Sequence, residues 1–365
     1  MSGMADSVEQ RTERPRGAPP PGRRALVDAP AALAGVAARL ATAEAIGVDL
    51  ETGVQPRQGG NKFALLQLAT DDESWAIDPL RLPDLGPLAP IFANPAVLKV
   101  FVAVSGDAPF LEAAGLPLRG VCDVAEVGRS AFGRRGEGLQ NLVERAFGVV
   151  MDKSLQRSEW LRRPLTAPLL AYAYRDAELT LALYRWFQET QPVLVRLHTT
   201  LLARPDLPSD LPDWLRAILE GRRSGARRMP AGEVVEAAGM DPLEDAPALL
   251  AGCEAALRVI TDVRPRVRLL DAAGELDLFE LAPALLAELS MPSATLRFAA
   301  ARALGRLADA GSVPVLQQLA VADPVEDVRD AASRALRAIE EQAAQDGQAK
   351  EDEDPGDEAA GDASS

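Results

Sequence analysis

Apolar residues change period along this chain. From Ala45 to Val104 they fall in short runs of strand length, and from Leu139 onward they recur three and four positions apart. The first pattern fits strands and the second one-sided helices. A helix is predicted over about Ala31 to Ala41, leading into AIGVDLE (45–51), a strand that ends in acidic residues. FALLQLAT (63–70) and SWAID (74–78) follow as two short strands, with Asp71-Asp72 as their hairpin turn. VLKVFVAV (97–104) gives a fourth strand, separated from the third by one helix. This order, strands early and helices later, predicts an α/β layer fold with a mixed sheet.

Punctuation divides the rest. Met1 to about Arg24 is polar and proline-rich, and disorder is expected there. Between Arg204 and Pro212 stand Pro205, Pro208 and Pro212, too many for one regular element. A linker over 196–240 is expected. Beyond it the chain repeats itself: SATLRFAAARALGRLAD (293–309) and VEDVRDAASRALRAIEE (325–341) align with an offset of 32. Each copy carries a one-sided apolar helix face, and SVPVLQQLAV (312–321) supplies a second helix between them. Two helices per period is a solenoid signature and resembles a short variety of HEAT repeat. An all-helical domain over 241–342, with degenerate earlier copies between about Asp241 and Leu289, and a disordered acidic tail over 343–365 complete the prediction. Arg297, Arg302, Arg306, Arg329, Arg334 and Arg337 lie on the repeat helices. They can form a basic stripe along a phosphate backbone or pair with acidic neighbours between repeats.

Composition narrows the chemistry. Cys122 and Cys253 are the only cysteines, which excludes a disulfide framework and a zinc cluster and suggests buried thiols in a reducing compartment. No apolar run reaches the ~20 residues of a membrane span, and the first residues lack the apolar core of a secretory signal, so a cytoplasmic location is expected. The formal charge of −15 argues against a nucleic-acid partner, but −8 of it sits between Glu341 and Ser365. His198 is the single histidine. With nothing near it in sequence that looks like a nucleophile, it reads as an incidental helix residue.

Asp49 and Glu51 flank Leu50, so both carboxylates leave the strand on one face. A cation between them would relieve their repulsion; alternatively the strand has simply reached solvent. Asp107 follows the fourth apolar run, as a ligand or as an ordinary helix cap. Tyr172 and Asp176 are one turn apart on a helix and share a face.

As a set, GVDLET (47–52), KVFVAVSGDAPFL (99–111) and AYAYRDA (171–177), the last approached through DKSLQRSEWLRRPLT (152–166), resemble the exonuclease motifs of the ribonuclease D family, the tyrosine branch of the DEDD superfamily. The resemblance covers about Ala25 to Gln191. It implies a ribonuclease-H-like 3′→5′ exonuclease domain over 25–195, hydrolysing phosphodiester bonds from RNA 3′ ends. It further implies two Mg²⁺ or Mn²⁺ ions held by Asp49, Glu51, Asp107 and Asp176, with Tyr172 orienting the attacking water. Thr52, Lys153, Arg157, Arg162 and Arg163 are the implied substrate contacts, and Arg222, Arg223, Arg227 and Arg228 could extend the RNA path or be a solvated linker. Structured RNA such as tRNA precursors is the substrate implied. A 3′→5′ DNA exonuclease, or an interaction protein built on a spent exonuclease fold with a protein partner on its repeats, are the other readings. The sequence departs from the family in three places: Val102 stands where a histidine is usual before the second motif, GGNKF (59–63) replaces an aromatic-proline pair, and HEAT-like repeats follow instead of the family's usual helical modules.

Overall fold

The computed structural model describes residues 18, 21–55, 59–136, 138–152, 154–202 and 207–353. They divide into two compact units, one built from residues up to 125 with 138–190, the other from 126–136 with 191–353. The predicted PPP run (Pro19, Pro20), Lys153, Arg204 to Asp206 and the tail from 354 lie outside the described residues.

In the first unit β1 (Arg23–Val27), β2 (Ala45–Val54), β3 (Asn61–Ala69), β4 (Glu73–Ile77), β5 (Leu98–Phe101) and β6 (Arg119–Asp123) form a mixed sheet in the order β1-β4-β3-β2-β5-β6. β2, β3 and β4 run antiparallel in succession, while β1 pairs parallel with β4 and β5 parallel with β2 and β6. Helices α1 (Pro30–Leu40), α2 (Ala89–Ala93), α3 (Ala108–Ala113), α4 (Val124–Phe132), α5 (Leu139–Phe147) and α6 (Ala167–Thr190) follow in chain order, the division into units falling inside α4. α6 lies directly on β2: a Cβ at Gly47 would stand 2.2 Å from the carbonyl oxygen of Ala177, so only glycine permits this approach.

The predicted α/β class with a mixed sheet is what the structure has. Two strands escaped the pattern. β1 starts inside the stretch expected to be disordered; only Val27 of it is buried, so an edge strand with charged residues shows no apolar period. β6 is five residues long, too short to stand out. β5 is shorter than the apolar run suggested, because the chain turns at Ala103, which has a φ of 64°. The Asp123 carboxylate accepts the N–H groups of Ala103 and Val104 at 2.9 and 3.1 Å, which stabilises that turn.

The second unit contains α7 (Pro192–Leu197), β7 (Thr199–Leu202), α8 (Asp213–Glu220), the two-strand ribbon β8 (Arg223–Ser224) and β9 (Arg227–Arg228), and α9 (Ala231–Ala237). The helices α10 (Ala246–Val259), α11 (Val263–Glu275), α12 (Ala282–Glu288), α13 (Ala294–Arg306), α14 (Val313–Ala322) and α15 (Glu326–Glu353) complete it. The described part of 196–240 is therefore not bare linker. Trp214, Leu215, Ile218, Val234 and Val235 are buried in the same core as Leu269, Leu304 and Ile339. Pro212 sits at the N-cap of α8, where a proline starts a helix rather than breaking one. The tail expectation also changes: α15 continues past residue 342 to Glu353.

The repeat reaches one copy further back than the clear pair. Arg266, Arg297 and Arg329 stand at offsets of 31 and 32, and each donates to a carbonyl six residues before it, Ile260, Met291 and Asp323 at 2.6–2.8 Å. Gly274 meets Ala303 and Gly305 meets Ala335 in the same way, so α11, α13 and α15 stack through matched small residues. Three of the six arginines expected to form a stripe are ion-paired. Arg297 pairs with Asp323, Arg302 with Asp271, and Arg306 with Glu275. Arg227 and Arg228 are likewise paired, with Glu233 and Glu275.

His198 is not incidental. It is buried, and its Nε2 lies 2.8 Å from the Ser130 hydroxyl, which is itself 2.8 Å from the Ser293 hydroxyl. Burial pushes its pKa down to about 4, so it is neutral. Cys122 and Cys253 are buried and not joined in a disulfide, as expected.

Candidate active site

The face of β2 that carries Gly47 also carries Asp49 and Glu51, because alternate residues of a strand share a face. α6 covers this face and adds Asp176. One oxygen each of Asp49, Glu51 and Asp176 lie within 4.8 Å of one another. Asp107, the N-cap residue of α3, is not in this group of three, though its charge acts on Asp49 and Glu51.

Such crowding makes ionisation costly. Burial, then the charges of Asp176, Glu51 and Asp107, raise the Asp49 pKa well above the ordinary carboxylate range. Burial and the charges of Asp176 and Asp107 push Glu51 up to about 8. Burial is the main cause at Asp107 and Asp176, both raised to about 7; the charge of Asp123 adds to it at Asp107. Tyr172 and Asp176 share a hydrogen bond, and burial with the surrounding carboxylates holds the phenol proton more tightly than usual. Tyr172 is therefore a donor here, not a base. The Asp176 Oδ1 atom is buried and has no protein partner. Hard oxygen donors with unspent negative charge fit a divalent cation such as Mg²⁺ or Mn²⁺.

A bulge shapes the rim. Glu51 pairs with Leu65 but Thr52 with Phe63, so Ala64 is the extra residue on β3. Arg163 uses this irregularity. It donates to the Ala64 carbonyl at 2.7 Å, to both Asp78 oxygens at 2.5 and 2.8 Å, and to the carbonyls of Trp160 and Arg162 at 2.7 and 2.9 Å. All five guanidinium N–H groups are thereby used, so Arg163 pins the 154–166 loop and is not available to a phosphate. The pinned loop seats buried Trp160 6.0 Å from the Tyr172 ring. Of the other implied substrate contacts, Thr52 is half-buried beside the bulge and Arg157 and Arg162 are exposed.

Two residues near this site carried no motif. Asp123 holds the turn before Asp107, and a lone acid after an apolar strand was its only sequence signal. Gln67 is fully buried in the centre of LLQLA, a polar residue interrupting an apolar run.

Residues 25–190 match the 3′-5′ exonuclease family and residues 255–347 the HEAT repeats. Residues 25–190 are therefore similar to 3′-5′ exonuclease domains, and residues 255–347 to HEAT repeats. Within that class the domain is similar to ribonuclease D. It is 31% identical to the Desulfotalea psychrophila ribonuclease D over 158 residues, 42% of this chain and 39% of that protein. The Escherichia coli ribonuclease D is 32% identical over 146 residues, 40% of this chain and 39% of that protein. The chain thus spans about two fifths of the length of the curated relatives it matches. Among solved structures, the Escherichia coli RNase D has a TM-score of 0.44 at 20% identity, covering 87% of this chain and 75% of its own. The Aedes aegypti Nibbler EXO domain has a TM-score of 0.42 at 26% identity, covering 47% of this chain and 90% of its own. Among the described residues no helix is long and apolar enough to cross a membrane.

Proposed function

We propose that this protein is a divalent-metal-dependent 3′→5′ exoribonuclease that trims RNA 3′ ends in the cytoplasm, structured RNAs such as tRNA precursors among them. The observation that carries the reading is the convergence of Asp49, Glu51 and Asp176, two buried carboxylates and a half-buried one, from a strand and a helix far apart in sequence. With Asp107 beside them they would hold Mg²⁺ or Mn²⁺. A bound divalent ion supplies a deprotonated water at neutral pH and offsets charge on the phosphate. The residues do the positioning. Asp176 accepts from the Tyr172 hydroxyl, whose oxygen then orients the attacking water by accepting a hydrogen bond from it. Thr52, Arg157 and Arg162 line the approach and contact the sugar-phosphate backbone. The relatives named ribonuclease D favour RNA over DNA, and the repeats offer an outer surface for a protein partner.

The deciding experiment is release of mononucleotides from 3′-labelled RNA and DNA in Mg²⁺ or Mn²⁺, with and without chelator. Metal-dependent release from RNA is the expected result. Preference for DNA would replace the substrate, and no release from either, with Mn²⁺ bound, would leave a non-catalytic metal-binding protein.

A further inference from the structure

Gln67 stands opposite Asp49 in the β2–β3 register, so the two side chains leave the sheet on the same face, beneath α6. It is 0% exposed, and neither its Nε2 nor its Oε1 has a hydrogen-bond partner. The helix above carries two more such atoms. Asp176 Oδ1 and Thr180 Oγ1 are buried and equally unpartnered, and they lie one turn apart on α6. Buried polar atoms are nearly always paired, so four of them on one strand–helix interface ask for a common explanation. Their chemistry is complementary. The amide brings two N–H donors and a carbonyl, the threonine a hydroxyl donor, and the aspartate an acceptor.

In the structure neither a Gln67–Asp176 nor a Thr180–Gln67 hydrogen bond is made; we propose that Gln67 is a positioning residue for the metal-binding carboxylates, its amide turning when metal binds so that its N–H serves Asp176 Oδ1 and its carbonyl accepts from the Thr180 hydroxyl. Leucine or methionine would fill the same space in LLQLA without leaving polar atoms to satisfy. The amide is useful only because a donor fixed in the sheet holds the Asp176 carboxylate in one orientation beside Asp49 and Glu51. Partners behind metal ligands act in this way, fixing a ligand's orientation without touching the ion. The inference rests on the metal-site reading above.

Mn²⁺ affinity, measured by calorimetry on the full chain, tests it. Gln67→Met should weaken Mn²⁺ binding by ~10-fold or more, the loss usual for such a partner. Its metal-free unfolding temperature should hold or rise, since methionine leaves no orphaned amide. Thr180→Val should weaken binding by a smaller factor, and the double variant should bind no worse than Gln67→Met, because both act through one amide. With RNA as substrate, kcat should fall while KM stays. Unchanged Mn²⁺ affinity in Gln67→Met makes the residue mere packing and overturns the proposal; if that variant does not fold, unchanged affinity in Thr180→Val does the same. Wild-type protein that binds no Mn²⁺ overturns the metal-site reading itself, an outcome visible before any Gln67 variant is made.

Discussion

In the second unit Asp323, 2% exposed at its side chain, has both carboxylate oxygens against the Arg297 guanidinium, at 2.7 and 3.0 Å. In the first unit the charges that act on half-buried Asp49 are those of Asp176, Glu51 and Asp107, all acids, and all raise its pKa. Asp271 sits between these extremes: burial raises its pKa, and Arg302 pulls it back. The same side chain is thus either neutralised inside the chain or left with unspent charge. An ion pair gives buried acid a structural role, whereas uncompensated acids are a liability unless a cation from solution joins them. The repeats use the first arrangement at each inter-repeat turn and the proposed active site the second.

Substitution tests the comparison most directly at its two poles. Asp49→Asn should abolish metal-dependent mononucleotide release, yet raise the unfolding temperature of the metal-free protein, because one charge is removed from a repelling group. A lower metal-free unfolding temperature would mean that Asp49 is compensated after all. Asp323→Ala should do the reverse. It leaves the largely buried Arg297 charge without an acid and should cost about 3–5 kcal/mol of stability in chemical denaturation. Its Mn²⁺ affinity should match wild type.

A pH series sharpens the contrast without mutation. Glu51 near 8 and Asp107 and Asp176 near 7 bind protons more tightly in the fold than in the unfolded chain. The stability they contribute is therefore full below the ordinary carboxylate range and is lost as pH rises through about 7 to 8. Metal-free protein should melt progressively lower between pH 5 and pH 8, on the order of several degrees, and saturating Mn²⁺ should flatten the curve. A flat metal-free curve would place counter-charges at the site. The smallest effect belongs to an exposed repeat pair. Arg306, 44% exposed at its side chain, lies 3.3 Å from Glu275, and Arg306→Gln should change stability by about 0–1 kcal/mol. A larger loss would show that the outer pairs stabilise the stack as the buried ones do.

Much of this was legible in one dimension because it is periodic or local. The i, i+2 spacing put Asp49 and Glu51 on one face, and the i, i+4 spacing did the same for Tyr172 and Asp176. Apolar runs of the right length gave four of the six strands of the first unit, and the offset of 32 gave the helical stack. Resemblance to a family supplied the grouping of these residues, which no spacing contains. The structure then changed what side chains are for. Arg163 looked like a phosphate contact and proved to be the pin of a loop; Arg297, Arg302 and Arg306 looked like part of a stripe and proved to be paired.

What the sequence determined by itself was the inventory: which segments are strands or helices, which acids share a face, and that a repeat exists. Those properties depend on residues a few positions apart, where backbone geometry converts spacing into direction. Tertiary structure decided the partners. Ser130 meets His198 and Ser293 across 68 and 163 residues, and Arg163 meets Asp78 across 85. It also decided that residues 214–235 join the core of the second unit and that Gln67 lies buried opposite Asp49. No local period encodes such pairings, because burial and charge compensation depend on which surfaces meet once the chain has folded.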